Sequence, residues 1–292
     1  MADTEQQSMR RALSREVAGT IGLLTDEHDF SVMRRYRSFT FREFESYLRQ
    51  VEALLRSRAD QGSHTSVALF DPEEYAEYCA QVGLDPDAPA SRTRFTAELA
   101  TTGPTLPYTG QPLAELVPDL IDEAARRATQ EYASEHLSRI GPCASCGEDI
   151  GSASFARASE LVLHIFNSAH PGDHYLVCHV VAEPETLVAV LRTVDDSQLD
   201  EREAPDLARV LAFGIATHSA GRVIMRTKAP GTSDRVYGWR LRGDGLQPLT
   251  AAEVYDADRT DTQVRPTAPE SNVEYCEPPD LGEVALPSGH TH

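Results

Sequence analysis

The residues best suited to chemistry are two cysteines in a short turn. Residues 141–147 read Gly-Pro-Cys-Ala-Ser-Cys-Gly, and we call this segment the Cys turn. Two residues between Cys143 and Cys146 let both sulfurs face one concavity, and Gly147 lets the backbone curl beneath them. Because Zn²⁺ takes thiolate and imidazole ligands in a tetrahedron, the Cys turn supplies half of a zinc site.

The other half of this site has to come from elsewhere in the chain. There is no second Cys-x-x-Cys, and the three remaining cysteines are scattered: Cys79, Cys178 and Cys276. Alternation along a strand places Cys178 and His179 on opposite faces, so only one of them joins the site. We predict a zinc ion held by Cys143, Cys146, His174 and Cys178, with His170 as the alternative to His174.

Two other interpretations of the Cys turn stay open. In the first, Cys143 and Cys146 are reduced thiols in a tight turn and bind nothing. In the second they are a redox pair, since the first cysteine of such a motif at a helix start can have a lowered pKa. The redox interpretation is the weaker one, because a predicted helix precedes the turn where a thioredoxin-like protein has a strand.

The composition indicates a soluble, folded, cytoplasmic protein. Hydrophobic residues make up 40% and charged residues 25% of the 292 positions, near the averages for globular proteins. No apolar run approaches the roughly 18 residues of a membrane span, and the N-terminus lacks a signal-peptide pattern. Five cysteines without an export signal argue against a disulfide framework. A single lysine among 27 basic residues indicates a high-GC bacterial genome.

The formal net charge of −19 restricts the classes of partner. It disfavours attraction to nucleic acid or to an anionic membrane. A local exception is the arginine cluster at Arg34, Arg35 and Arg37, which leaves nucleic-acid binding as an alternative. We favour a solvated or salt-bridged surface for these side chains, because the rest of the chain is acidic.

Residues 1–140 are predicted to be mainly helical. An apolar stripe over 8–24 predicts an amphipathic helix, and Thr40 is predicted to cap a second helix whose stripe runs to residue 55. Residues 66–70 are typical of a short buried strand, followed by a helix that Asp71 caps, Pro72 begins and Gly83 ends. The Pro-rich region 83–112 is a connection with at most one short helix, and a longer helix spans 118–139.

Residues 141–256 alternate between helices and pairs of strands. A helix ending near 167 is followed by strands 174–182 and 186–192, then by a helix at 204–218 and strands 222–228 and 235–241. Residues 257–292 carry several prolines and an excess of acidic residues, which predicts a disordered acidic tail. The predicted fold class is therefore α+β: a helical N-terminal region packed on a C-terminal domain of antiparallel hairpins and helices.

No sequence motif identifies an activity, since the chain has no P-loop, dinucleotide-binding fingerprint or kinase signature. We predict a binding, regulatory or scaffold protein with a zinc clip at the Cys turn and a protein or small molecule as its partner. The alternative is a small-molecule enzyme with a pocket between the two regions. In that enzyme His174 or His218 would transfer protons together with a nearby carboxylate.

Overall fold

The structure is a computed structural model that describes residues 19–183, 185–194, 198–261, 272–279 and 281. The chain divides into two units, Met1–Arg127 and Ala128–His292. This boundary falls inside the long helix Leu113–Ile140, whereas the domain boundary predicted from the sequence lies at residue 141. In the part of the chain that the structure describes, no helix is both long and apolar enough to cross a membrane.

The N-terminal unit contains a small three-stranded sheet where the sequence predicted one strand. Its strands are β1 (Gly19–Leu23), β2 (Thr65–Leu69) and β3 (Thr105–Pro107), in the order β1-β2-β3. β1 is parallel to β2, and β3 is antiparallel to it. The predicted strand at 66–70 is confirmed as β2, and β1 and β3 extend the sheet on either side of it.

The helix predicted over residues 8–24 is wrong for the part that the structure describes. Residues 19–23 form β1, with Ile21 opposite Val67 and Leu23 opposite Leu69. The apolar positions at the end of this segment fit a helix period and also fit strand alternation, so pairing with β2 decides between the two. Residues 8–18 of the predicted helix lie outside the described residues.

Helices fill the connections between these strands. They are α1 (Glu27–Met33), α2 (Phe44–Asp60), α3 (Pro72–Val82) and α4 (Pro89–Thr102), followed by α5 (Leu113–Ile140). The signals around α3 are confirmed: the Asp71 carboxylate accepts hydrogen bonds from the first turn, and Gly83 ends the helix with a φ of 67°. The cap predicted at Thr40 is wrong, because α2 begins after Glu43 without a side-chain cap.

The core of the N-terminal unit is rich in aromatic rings, and one phenol also bonds to the backbone. The Tyr47 ring on α2 packs against Phe30 and Phe44. Its hydroxyl accepts a hydrogen bond of 3.0 Å from the buried amide of Leu24. Burial raises the pKa of Tyr47 to about 12. Tyr47 therefore joins α2 to the end of β1 by packing and by a hydrogen bond.

The C-terminal unit has the predicted order of helix, hairpin, helix and hairpin. Its elements up to residue 248 are α6 (Ile150–Ser168), β4 (Asp173–Val180), β5 (Leu187–Val194), β6 (Gln198–Leu199), α7 (Glu203–Thr217), β7 (Gly221–Lys228), β8 (Asp234–Arg242) and β9 (Gly245–Pro248). The two hairpins lie side by side, because β7 pairs with β4 in an antiparallel ladder. The predicted α+β fold class is confirmed.

One face of this C-terminal sheet packs against α6 and α7. Alternation along β4 points Leu176, Cys178 and Val180 toward the helices, and all three are fully buried. Trp239 on β8 belongs to the same cluster and is also fully buried. This cluster is the apolar core of the unit.

The prediction that residues 257–292 form a disordered tail is wrong for its described parts. Helix α8 (Ala251–Asp261) runs into the segment, and β10 (Val273–Tyr275) adds a strand parallel to β8. The Tyr275 hydroxyl donates a 2.8 Å hydrogen bond to Asp258 on α8. Val273 and Tyr275 alternate with a polar residue, which suits an edge strand despite the acidic composition. The remaining tail residues lie outside the described part.

Candidate functional site

The Cys turn lies between the end of α5 and the start of α6 and is stabilised by its own backbone. Gly141 and Gly147 have φ values of 76° and 78°, a region that side-chain-bearing residues rarely adopt. The Cys143 amide donates to the Glu148 carbonyl at 2.7 Å, and the Gly147 amide donates to the Cys143 carbonyl at 2.8 Å. Pro142 and Asp149 form an antiparallel bridge that closes the turn. The two cysteines are thus held on a short, fixed loop.

The end of the Cys turn leads directly into α6. The Asp149 carboxylate accepts a 2.7 Å hydrogen bond from the Ser152 amide and caps this helix. That hydrogen bond lowers the pKa of Asp149. The cap fixes the direction in which the chain leaves the turn.

The two thiols are close to each other and accessible. Cys143 is half-buried, Cys146 is exposed, and neither forms a disulfide. The Cys146 sulfur hydrogen-bonds with the Cys143 thiol and accepts a hydrogen bond from the Glu148 backbone amide. It also lies 3.9 Å from the Glu148 carboxylate oxygen Oε2. An amide directed at a sulfur is a feature that stabilises a bound thiolate.

The surroundings of Cys146, the second cysteine of the motif, shift its pKa in two directions. The Glu148 amide hydrogen bond lowers the pKa, but desolvation, the Cys143 thiol and the Glu148 carboxylate together raise it above its usual value. Reactive cysteines lie in electropositive surroundings, whereas a carboxylate lies beside this one. The neighbouring carboxylate thus disfavours thiol–disulfide chemistry at Cys146, and the redox interpretation, which concerns Cys143, stays a prediction.

The structure does not bring the four predicted zinc ligands together. Among the described residues, no three of His, Cys, Asp and Glu form a group that could hold a metal ion. Cys178 lies in the apolar core on β4, where burial raises its pKa to about 12, and His174 lies on the same face of that strand. His174 and Cys178 are therefore not retained as ligands, and Cys143 and Cys146 remain as a pair.

His174 is instead held by side chains around the end of the C-terminal sheet. Its Nδ1 lies 3.0 Å from the Thr227 hydroxyl, and its ring meets the Phe166 ring edge-on with centroids 5.7 Å apart. Burial lowers the pKa of His174, and the Asp173 carboxylate opposes that shift. An imidazole next to a carboxylate in the chain has the residue types of the enzyme alternative, which stays a prediction.

His170, the alternative zinc ligand, lies against Tyr237. The two rings are nearly parallel with centroids 6.2 Å apart, and the phenol oxygen lies 3.4 Å from His170 Nδ1. The Tyr237 hydroxyl also hydrogen-bonds with Arg235, which raises the pKa of that guanidinium. His170 is thus part of a polar group at the sheet end and does not join the cysteines in a metal-holding group.

His218 occupies a helix end. Among the described residues it is the one residue other than glycine with a positive φ, at 52°, and its amide bonds back to Gly214 and Ile215 of α7. The Thr217 hydroxyl donates to the Phe213 carbonyl at 2.7 Å and lies 2.8 Å from the Ser219 hydroxyl. Through these contacts Thr217, His218 and Ser219 form the end of α7.

The arginine cluster of the N-terminal unit lies at the surface after α1. Arg34, Arg35 and Arg37 are exposed. Arg35 Nε donates to the Val32 carbonyl at 2.9 Å, and its guanidinium lies over the Tyr36 ring. The nucleic-acid alternative that rests on these residues stays a prediction.

The two cysteines were identified from the sequence, but the contribution of Glu148 was not. The backbone of Glu148 closes the Cys turn through its carbonyl and bonds the Cys146 sulfur through its amide. A glycine directly after a Cys-x-x-Cys signals that the next amide can turn toward the sulfurs, and Gly147 supplies that signal.

Comparisons with known proteins bear mainly on the N-terminal unit. No curated protein and no solved structure matches the chain. The family model of a domain of unknown function, DUF8829, matches residues 8–111. The Cys turn and the C-terminal unit lie outside the matched residues, so this similarity concerns the small sheet β1-β2-β3 and the helices around it.

Proposed function

We propose that the protein acts by binding, and that its Cys turn takes up a zinc ion through the thiolates of Cys143 and Cys146. The observation that carries this proposal is the hydrogen bond from the Glu148 amide to the Cys146 sulfur. The cytosol, where thiols stay reduced, is the compartment in which we propose that this binding takes place.

The preorganisation of the turn supports the proposal. Backbone hydrogen bonds of 2.7 Å and 2.8 Å close the loop between residues 143 and 148. Little chain entropy is therefore lost when the sulfurs bind a cation, so less of the binding free energy is used to order the loop. The adjacent Glu148 carboxylate adds negative charge beside the sulfurs, which favours approach of a divalent cation.

The experiment is a titration of the metal-free, untagged full chain with Co²⁺ as a spectroscopic substitute for zinc. Thiolate coordination produces a sulfur-to-metal charge-transfer absorption, and we expect this band to saturate and then to disappear when Zn²⁺ displaces Co²⁺. The double variant Cys143→Ser, Cys146→Ser should show no such band. Cys276→Ser is the matched control, because Cys276 is a partly buried thiol outside the turn.

Two results would contradict the proposal. One is the absence of a charge-transfer band in the wild-type protein under reducing conditions. The other is a band of full intensity in the double variant, which would place the thiolate ligands elsewhere. Circular dichroism of the variant checks that the loss of the band does not come from unfolding.

A further inference from the structure

We propose that two copies of this chain share one zinc ion, each copy supplying Cys143 and Cys146 of its Cys turn. This inference rests on the proposed zinc binding and adds the partner that completes the site. The second copy contributes half of the ligands, because the described residues of a single chain supply only two.

A structural zinc site needs more ligands than one Cys turn supplies. Structural zinc is almost always tetrahedral with four protein ligands, and Cys₄ is a common set. The Cys turn provides two, and in the described part of the chain no third His, Cys, Asp or Glu joins them in a metal-holding group. A second Cys turn provides the missing pair with the same backbone support. Two-fold symmetry then makes the two halves of the site equivalent.

The position of the Cys turn favours contact with a second copy. Residues 144–149 are all exposed, so another molecule can reach the sulfurs. The two helices that flank the turn pack closely, since a Cβ added to Gly151 at the start of α6 would lie 2.6 Å from the Leu137 carbonyl oxygen of α5. This packing holds the two ends of the loop together. The exposed tip is therefore presented on a narrow, fixed base. Two such tips can meet at a metal ion with little other surface in contact.

The charge around the Cys turn makes association of two copies depend on a cation. The exposed Glu148 carboxylate lies 3.9 Å from the Cys146 sulfur, and the exposed Asp149 follows it in the chain, so two turns in contact bring like charges together. Each chain also carries a formal charge of −19. Without a cation this arrangement is repulsive. When zinc binds, the four thiols release their protons to solvent, the four thiolates coordinate the ion, and no electron is transferred.

The test is size-exclusion chromatography with light scattering on the untagged full chain, combined with zinc analysis of the eluted protein. With one zinc added per two chains we expect a particle of twice 32.1 kDa that contains one zinc per two chains. Addition of a chelator should return it to a monomer. The Cys143→Ser, Cys146→Ser variant should stay monomeric with zinc, and Cys276→Ser should behave as wild type.

The outcomes separate this inference from the proposed zinc binding. A monomer that holds one zinc per chain through the two cysteines would overturn the shared site and leave zinc binding intact. A monomer without zinc would overturn both. A dimer that persists in chelator, or that forms in the double variant, would also overturn the inference, because its interface would then not depend on the metal.

Discussion

Replacing Cys178 with alanine should change stability in a way that depends on pH. The thiol is fully buried in the core, and burial raises its pKa from the usual 9.0 to about 12. Below pH 9 the folded and unfolded chains both keep the proton, so the substitution removes only packing. We expect a cost of about 1 kcal/mol there, since one buried sulfur atom is lost.

Above pH 9 the thiol of Cys178 ionises in the unfolded chain while the folded chain keeps it protonated. The wild-type protein therefore loses stability as pH rises from 9.0 toward about 12. One pH unit corresponds to about 1.4 kcal/mol, so at about pH 10.5 the loss is about 2 kcal/mol. The variant has no thiol to ionise at this position, and its stability should then exceed that of the wild type by about 1 kcal/mol.

Urea unfolding of both proteins at neutral pH and at about pH 10.5 measures this difference in the free energy of unfolding. Val180→Ala is the matched control, because Val180 is equally buried on the same strand and carries no ionisable group. Its cost should be the same at both pH values. A Cys178 effect that stays constant or grows with pH would refute the reasoning, and a growing effect is what a metal-bound thiolate would give.

Three further substitutions test the local structure. Tyr47→Phe should destabilise the protein by about 1–3 kcal/mol in urea unfolding, because it removes the acceptor of the buried Leu24 amide. Asp71→Ala should cost about 1 kcal/mol by the same measurement, because two amides at the start of α3 lose their cap. His218→Gly should raise the melting temperature, with a gain of about 1 kcal/mol, because glycine accepts the positive φ at this helix end.

Each of these three substitutions has a matched control variant and a result that would contradict the prediction. Tyr78→Phe alters a half-buried phenol of the same core and should cost less than Tyr47→Phe. Asp71→Asn keeps a capping oxygen and should recover most of the lost stability. His218→Ala retains the strained backbone and should be close to neutral. Equal effects within any pair would mean that the named hydrogen bond or dihedral angle is not the cause.

The elements that could be predicted from the sequence are those with local signals at their ends. Asp71, Pro72 and Gly83 mark α3 from its cap to its last turn, and the structure confirms all three. Strands β4, β5, β7 and β8 were also predicted, because each apolar run is bounded by turn residues. These signals act within a few residues, so no knowledge of the tertiary structure is needed to use them.

The elements that could not be predicted depend on partners far away in the chain. β1 forms because β2 lies beside it, and β2 begins more than forty positions later. β3 and β10 are strands of three residues at sheet edges, too short for a periodic pattern. The same limit applies to the site. Cys178 resembled a ligand in sequence, but only the assembled sheet shows that its side chain points into the core.

The central claim is that one zinc ion is coordinated by Cys143 and Cys146 from each of two chains. X-ray absorption at the zinc edge, on the zinc-loaded full chain, measures the atoms bound to the metal directly. We expect four sulfur atoms at about 2.3 Å and no nitrogen or oxygen ligand. A shell of two sulfurs with two nitrogen or oxygen atoms at about 2.0–2.1 Å would contradict it, because the second pair of cysteines would then be missing.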